Sequence, residues 1–360
     1  MTAAEPALLR AFPGLARLPR LPLLTGPTPV ERFPVPGAGS DALWVKRDDR
    51  SSAAYGGNKP RKLEFLLGNA LDRGSRRVVT AGGLGTNHGL ATTILGRAAG
   101  LATTLVLIDQ PMTPLVRETL LLQAAWGAEQ LYGGNIPGAA VQALRALSRS
   151  AWRGERPQIV ATGGSSWRGN IGFVAAALEL AEQVRAGECP APDRLYVAVG
   201  TGGTAAGLAA GFALARLPVR VVGVLVSDIL PPSQRALVGA ARQVLRRLRR
   251  VDPSLPDASV TPDAVELVTR QRGAGYGAPT PAGLDAVAAA GSCGLSLEPI
   301  YTGKCLAEIR ARAAEGALGP GPALYWHTYN AVDVRATAPQ PLDAERLPPR
   351  LRAKIAEIPQ

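Results

Sequence analysis

Gly56-Gly57-Asn58-Lys59-Pro60-Arg61-Lys62-Leu63-Glu64 places a lysine at the entrance to a helix. Upstream, residues 42–46 read as a strand and 47–55 as a polar turn, and Gly56-Gly57 supplies backbone free to adopt positive φ. Pro60 suits a first helical turn, where its missing N–H would be unpaired anyway, and Leu63, Leu66, Leu67 and Ala70 recur at helical spacing. The positive end of a helix dipole disfavours a cation at Lys59. A neutral amine is a nucleophile that condenses with an aldehyde. A solvated surface lysine is the ordinary alternative, and nine residues alone do not separate the two.

Outward from this stretch, short apolar runs alternate with helical patterns. A strand at 76–81 ends in Gly82-Gly83, and a helix follows to about residue 99. Strands at 105–109, 129–132 and 158–162 are interleaved with helices at 113–126, 137–148 and 171–184. Beyond residue 193 come strands at 195–199, 220–227, 264–269 and 324–327, with helices after the Gly200 turn, over 231–250, from Thr280 and from Ile300. This alternation predicts an α/β protein with mostly parallel sheets covered by helices on both faces. A chain of 360 residues, 46% hydrophobic, buries a sizeable core and is expected to form two lobes. Residues 186–192, with glycine and two prolines, are the expected seam. The last twenty residues carry no assignable pattern.

Composition excludes several classes. No apolar run reaches the roughly 18 to 20 residues of a membrane helix, and Pro13, Pro19, Pro22, Arg17 and Arg20 break up the N-terminal segment, so neither a membrane span nor a signal peptide is expected. Cys189, Cys293 and Cys305 are widely spaced and odd in number, which indicates neither a disulfide framework nor a zinc site and fits a reducing cytoplasm. Two histidines, His88 and His327, are too few for a His-rich metal site. The formal charge of +12 raises the question of nucleic acid. Its densest run, 242–250, lacks interleaved aromatics and reads as a solvated arginine-rich helix face.

Further stretches carry candidate chemistry. Gly200-Thr201-Gly202-Gly203-Thr204 joins a buried strand to a helix, so its amides and the helix N-terminus converge as they do around a phosphate. It lacks the Gly-Lys-Ser/Thr end of a nucleoside-triphosphatase loop. Gly200, Gly202 and Ala205 also fit a relaxed dinucleotide pattern, with Asp228 as a ribose ligand, which keeps an NAD-binding oxidoreductase open; a tight structural turn is the plain alternative. Thr86-Asn87-His88 opens a helix, where helix capping is the default role. Tyr276 and Tyr301 are ordinary packing residues unless a phenol is needed to carry a proton.

Lys46-Arg47-Asp48-Asp49 followed by the Gly56–Glu64 stretch resembles the lysine region of the D-cysteine desulfhydrase and 1-aminocyclopropane-1-carboxylate deaminase family. Those enzymes use pyridoxal 5'-phosphate (PLP) and share the tryptophan-synthase-β type of fold. The resemblance runs from about Leu21 to Thr328. It implies a two-lobed three-layer α/β/α architecture, with residues 1–66 and 176–360 forming a large PLP-binding domain and 67–175 a small one, and a homodimer. It implies that Lys59 carries the cofactor and serves as base, that Gly200, Thr201, Gly202, Gly203 and Thr204 grip its phosphate, and that Asn87 contacts its ring hydroxyl. Thr86 would face the substrate carboxylate, and Tyr276 and Tyr301 the substrate side. Thr302 stands where the deaminase branch has Glu. A hydroxyl there, donating to a neutral ring nitrogen, makes a weaker electron sink, which favours expulsion of thiolate from D-cysteine over opening of a cyclopropane. His327-Thr328-Tyr329-Asn330 departs from the family's His-Thr-Gly-Gly, and Tyr329 is expected to crowd the ring. A divergent substrate or a PLP-binding protein without turnover therefore stays open beside deamination.

Overall fold

The computed structural model describes residues 5–34 and 43–356. In chain order its elements are helix α1 (Ala7–Ala11), strands β1 (Val30–Arg32) and β2 (Leu43–Lys46), α2 (Lys59–Asp72), β3 (Arg77–Gly83), α3 (Asn87–Ala98), β4 (Ala102–Ile108), α4 (Pro114–Ala125), β5 (Glu129–Gly134), α5 (Ile136–Trp152) and β6 (Gln158–Ile159). There follow α6 (Trp167–Arg185), β7 (Arg194–Val199), α7 (Gly203–Ala215), β8 (Arg220–Leu225), α8 (Gln234–Val251), β9 (Val265–Val268), α9 (Pro281–Ser292), α10 (Thr302–Ala314), β10 (Ala323–Trp326) and α11 (Pro349–Ala356). Many helices start where a short polar side chain satisfies an orphan amide. Thr86, Thr113, Asn135, Ser166, Ser233 and Thr280 each accept a hydrogen bond from the backbone N–H three residues on. Residue 42, the expected start of β2, lies outside the described residues.

The chain divides into two compact units. The larger comprises Met1–Leu18, Pro22–Phe65 and Ser165–Ala331. Its sheet has the order β1-β2-β10-β7-β8-β9, parallel throughout except for the β1 edge. Successive strand residues point to opposite faces. Leu195, Val197, Val199 and Val221 therefore pack with Phe173, Leu208 and Leu245 of α6, α7 and α8. Tyr196, Ala198, Val222 and Val224 pack on the other side with Ala286, Leu306 and Ile309 of α9 and α10. This is the expected α/β layering. On α8 those packing positions leave Arg235, Arg246, Arg247, Arg249 and Arg250 exposed, the solvated face read from sequence.

The smaller unit comprises Pro19–Leu21, Leu66–Gly164 and Val332–Gln360, around a parallel sheet of order β5-β4-β3-β6. Val79 and Val106 pack with Ala139 and Ala146 of α5. Leu105 and Leu107 pack with Leu120 and Leu121 of α4 and with Leu347, Leu351 and Ile355. No helix among the described residues is long and apolar enough to cross a membrane.

Several boundaries differ from the sequence expectation. Residues 186–192 are no seam: Cys189 lies in the same core as Leu178 and Leu195, so the segment is a connection inside the larger unit. The larger unit begins its second passage at Ser165 rather than residue 176, because α6 is one continuous helix packed on that unit. Residues 332–360 belong to the smaller unit, not the larger, because α11 supplies part of its core. Strand β6 stops after two residues, since the chain turns at Thr162–Gly164 with Gly163 at φ +64°.

Candidate active site

In the larger unit, β2, β10 and β7 are neighbours and parallel, so their carboxyl ends open on one edge of the sheet. Such an edge is where ligands bind in parallel α/β proteins. The segment after β2 carries Lys59, that after β10 carries His327–Asn330, and that after β7 carries Gly200–Thr204. Hydrogen bonds hold the lysine turn in shape and tie it to the segment after β10. Gly57 N–H donates to the Asp48 carbonyl (2.7 Å), Asn58 N–H to the Thr328 carbonyl (3.2 Å) and Gly56 N–H to Asn330 Oδ1 (2.5 Å). Gly57 sits at φ +80°, where a Cβ would fall 2.4 Å from the Thr328 carbonyl oxygen, so only glycine lets these backbones meet. Asn58 Nδ2 donates to Thr204 Oγ1 (3.3 Å), which joins the lysine turn to the glycine loop. Asn330 thus braces the lysine turn, a role the expectation of crowding at Tyr329 did not include.

Lys59 is the first residue of α2, as its sequence foretold. Its ammonium is lowered to about 8, chiefly by burial, against the opposing pull of Glu298. The sequence argument reached the right direction, but the cause here is burial. Lys62, one turn on, is fully buried; burial first and the Lys59 charge second push its ammonium well below the usual lysine range. Lys62 Nζ donates to Ser165 Oγ (3.4 Å), and Ser165 Oγ accepts from Gly203 N–H (3.2 Å) and exchanges a hydrogen bond with Thr201 Oγ1 (2.6 Å). The Asn170 amide, turned so that its nitrogen meets acceptors, donates to the carbonyls of Gly203 and Ser166. A Cβ on Gly203 would lie 2.5 Å from Ser165 Oγ and from the Asn170 amide, and 3.0 Å from Lys62 Nζ. The glycine loop therefore closes on a buried lysine nitrogen and a hydroxyl.

Tyr301 lies over Gly200, at whose position a Cβ would be 3.3 Å from the ring. Tyr276 meets it edge-on, with ring centroids 6.2 Å apart at 78°. Burial raises both phenols above the usual tyrosine range. Glu298 accepts from the backbone N–H groups of Ile300 (2.8 Å), Tyr301 (2.8 Å) and Thr302 (2.7 Å), and burial raises its carboxyl despite them. The Thr302 hydroxyl accepts from Glu298 N–H (2.9 Å) and reaches the Glu298 carbonyl and Oε1, both at 3.1 Å. His327 is buried, stacked on Tyr325 and bonded to the Ser296 carbonyl and Tyr329 N–H. Burial lowers its pKa, which leaves it a neutral packing group.

The remaining expected residues, Thr86 and Asn87, belong to the smaller unit. Thr86 caps α3, with Oγ1 accepting from Gly89 N–H at 3.2 Å, and Asn87 is the half-buried first residue of that helix. Asp228, the imagined ribose ligand, instead accepts from Tyr276 N–H (2.8 Å). Lys62, Ser165, Asn170 and Glu298 were missed by the sequence reading. Lys62 alone carried a local signal, since residues three apart share a helix face.

A family model described as pyridoxal-phosphate dependent enzyme matches residues 21–328. The chain belongs to the pyridoxal-phosphate-dependent enzyme family. It is 33% identical over 331 residues to a D-cysteine desulfhydrase of Salmonella paratyphi A, covering 88% of this chain and 95% of the relative. It is 34% identical over 321 residues to the nocardicin C-9' epimerase of Nocardia uniformis subsp. tsuyamanensis, covering 87% and 93%. A crystal structure of an ACC deaminase homologue superposes with a TM-score of 0.75 at 28% identity, covering 91% of this chain and 95% of that one. The dinucleotide reading falls with this match.

The donor set fits a pyridoxal-phosphate-dependent enzyme. A phosphate dianion at the Gly200–Thr204 amides would offset the buried Lys62 ammonium and meet the Thr201, Thr204 and Ser165 hydroxyls. Gly203→Ala would push a methyl into that cradle. Titration of the cofactor-free protein with PLP is expected to show affinity lower by about tenfold to a hundredfold, one or two charge-assisted hydrogen bonds' worth, with the fold retained by circular dichroism.

Proposed function

We propose that the chain is a lyase that eliminates the β-substituent of a small amino acid, with D-cysteine and water giving pyruvate, ammonia and sulfide. The observation that carries this reading is the bond from Asn58 to Thr204, which sets a lowered-pKa lysine beside a phosphate-type loop. PLP, when bound, supplies the electron sink that acidifies the substrate's Cα–H. Lys59 Nζ would hold the cofactor and, as a neutral amine, would accept the substrate's Cα proton. Gly200–Thr204, with Lys62 and Ser165, holds the phosphate. The Tyr276 and Tyr301 phenols, protonated across the neutral pH range, are the proton donors for the departing thiolate. Thr302 would partner the ring nitrogen with its hydroxyl turned away from the Glu298 carbonyl it meets at 3.1 Å. A homodimer is part of the same proposal, and so is a reducing cytoplasm, which three free cysteines, two of them buried, support.

The decisive assay incubates the PLP-loaded protein separately with D-cysteine, L-cysteine and 1-aminocyclopropane-1-carboxylate and measures pyruvate, 2-oxobutanoate and sulfide. Pyruvate with equimolar sulfide from D-cysteine is the expected result. 2-Oxobutanoate from the cyclopropane, with no pyruvate from D-cysteine, would move the assignment to deamination. The likeness to an epimerase favours a second reading, in which Lys59 and a tyrosine exchange the Cα proton without elimination. Deuterium entering Cα from heavy water with no pyruvate would select it.

A further inference from the structure

We infer that Lys304 and Asp228 are positioning residues that grip the 272–277 turn from opposite sides and so fix the Tyr276 phenol against Tyr301. Lys304 is buried at 0% exposure in the first turn of α10. A cation there opposes the helix dipole and loses its hydration, so it stays only if other groups replace both. Two backbone carbonyls do so: Lys304 Nζ donates to Arg272 O (2.9 Å) and Gly275 O (3.4 Å). From the end of β8, Asp228 accepts from the next amide, Tyr276 N–H, at 2.8 Å. The turn needs this help, because it is built on glycines with little preference of their own. Gly273, Gly275 and Gly277 stand at φ +62°, +116° and +79°. At Gly275 a Cβ would fall 2.5 Å from Asp228 Oδ1, so a side chain at that position would drive the carboxylate away.

The arrangement also couples the two phenols. Lys304 lies three residues after Tyr301, so the helix start that orients Tyr301 also anchors the turn carrying Tyr276. The ammonium and the carboxylate act on one peptide unit, Lys304 on the Gly275 carbonyl and Asp228 on the Tyr276 N–H. That unit is polarised at both ends, which strengthens both bonds. Loss of either group frees the turn without altering the chemistry of Tyr276 itself.

The kinetic half of this inference rests on the proposed elimination; the structural half does not. Asp228 is exposed, so Asp228→Ala is expected to fold. In the PLP-loaded protein, hydrogen–deuterium exchange of peptides spanning 272–278 is expected to quicken about tenfold to a hundredfold in Asp228→Ala, with exchange elsewhere unchanged and wild-type protection restored in Asp228→Asn, which keeps an acceptor oxygen. Lys304→Met should quicken the same peptides. For turnover of D-cysteine, Asp228→Ala and Tyr276→Phe should each lower kcat, and the double variant should be no worse than Tyr276→Phe alone. Unchanged exchange over 272–278 in Asp228→Ala overturns the inference, and so do multiplicative kinetic losses in the double variant. If the wild-type protein does not turn over D-cysteine, the proposed elimination fails, while the exchange measurement still decides the clamp.

Discussion

Lys59→Ala is expected to lack the visible absorption band that lysine-bound PLP gives, and to lose turnover by about 10⁴-fold, the upper range for removing a positioned base. The loss is large because one amine holds the cofactor and moves the proton. Absorption after reconstitution with excess PLP measures the first effect and pyruvate formation the second. The same residue makes a pH prediction. With the ammonium lowered to about 8, reactivity of the cofactor-free protein towards PLP should rise with pH through about 8, where an ordinary lysine would need about two units more. A retained visible band in Lys59→Ala would remove the residue from the site.

The second large effect lies beneath the lysine. Arg61, two residues on, is 1% exposed and makes a forked pair with Asp48, Nε to Oδ2 at 2.9 Å and Nη2 to Oδ1 at 2.7 Å. Its other edge meets Glu179 at 2.9 and 3.0 Å, Lys46 Nζ meets Glu179 at 2.6 Å, and Trp326 Nε1 donates to Asp48 at 2.7 Å. Arg61→Met leaves two buried carboxylates short of a partner and should cost about 3–5 kcal/mol, read as a lower denaturant midpoint. The pH dependence has a definite sign. Burial opposes ionisation of Glu179, yet Arg61 and Lys46 outweigh it and hold the carboxyl at about 2, below the ordinary 4.5. That contribution, of order 3 kcal/mol, is complete above about pH 4.5 and vanishes as pH falls through about 2. Arg61→Met should therefore move acid unfolding to higher pH. Unchanged stability would show that the carboxylates find other partners.

The parts of this molecule legible in the sequence are those written locally. Gly56–Glu64 announces its turn, helix and lysine within nine residues, and the apolar runs of β7 and β8 announce buried parallel strands. The pieces that were not legible depend on distant chain segments meeting. Ser165 and Asn170 reach the glycine loop only because α6 packs along α7, and Glu298 acts on Tyr301 and Thr302 through a tight turn whose geometry no periodicity encodes. The supposed seam at 186–192 failed because a Gly- and Pro-bearing connection looks the same whether it joins two units or a helix to a strand of one. Helix α11 was overlooked although Leu347, Leu351 and Ile355 recur every four residues, since flanking prolines and charges masked so short a stripe.

The position of α11 bears on how the chain is made. Leu347, Leu351 and Ile355 close a core whose other walls, Leu84, Leu105, Leu107 and Leu120, are synthesised much earlier. The whole of residues 165–331 must leave the ribosome before that wall arrives. During translation the β3–β4 apolar surface stays open to solvent or chaperones, and the larger unit has its residues complete first. A stop codon ahead of Leu347 would then spare the larger unit and yield a chain prone to aggregate through the smaller one.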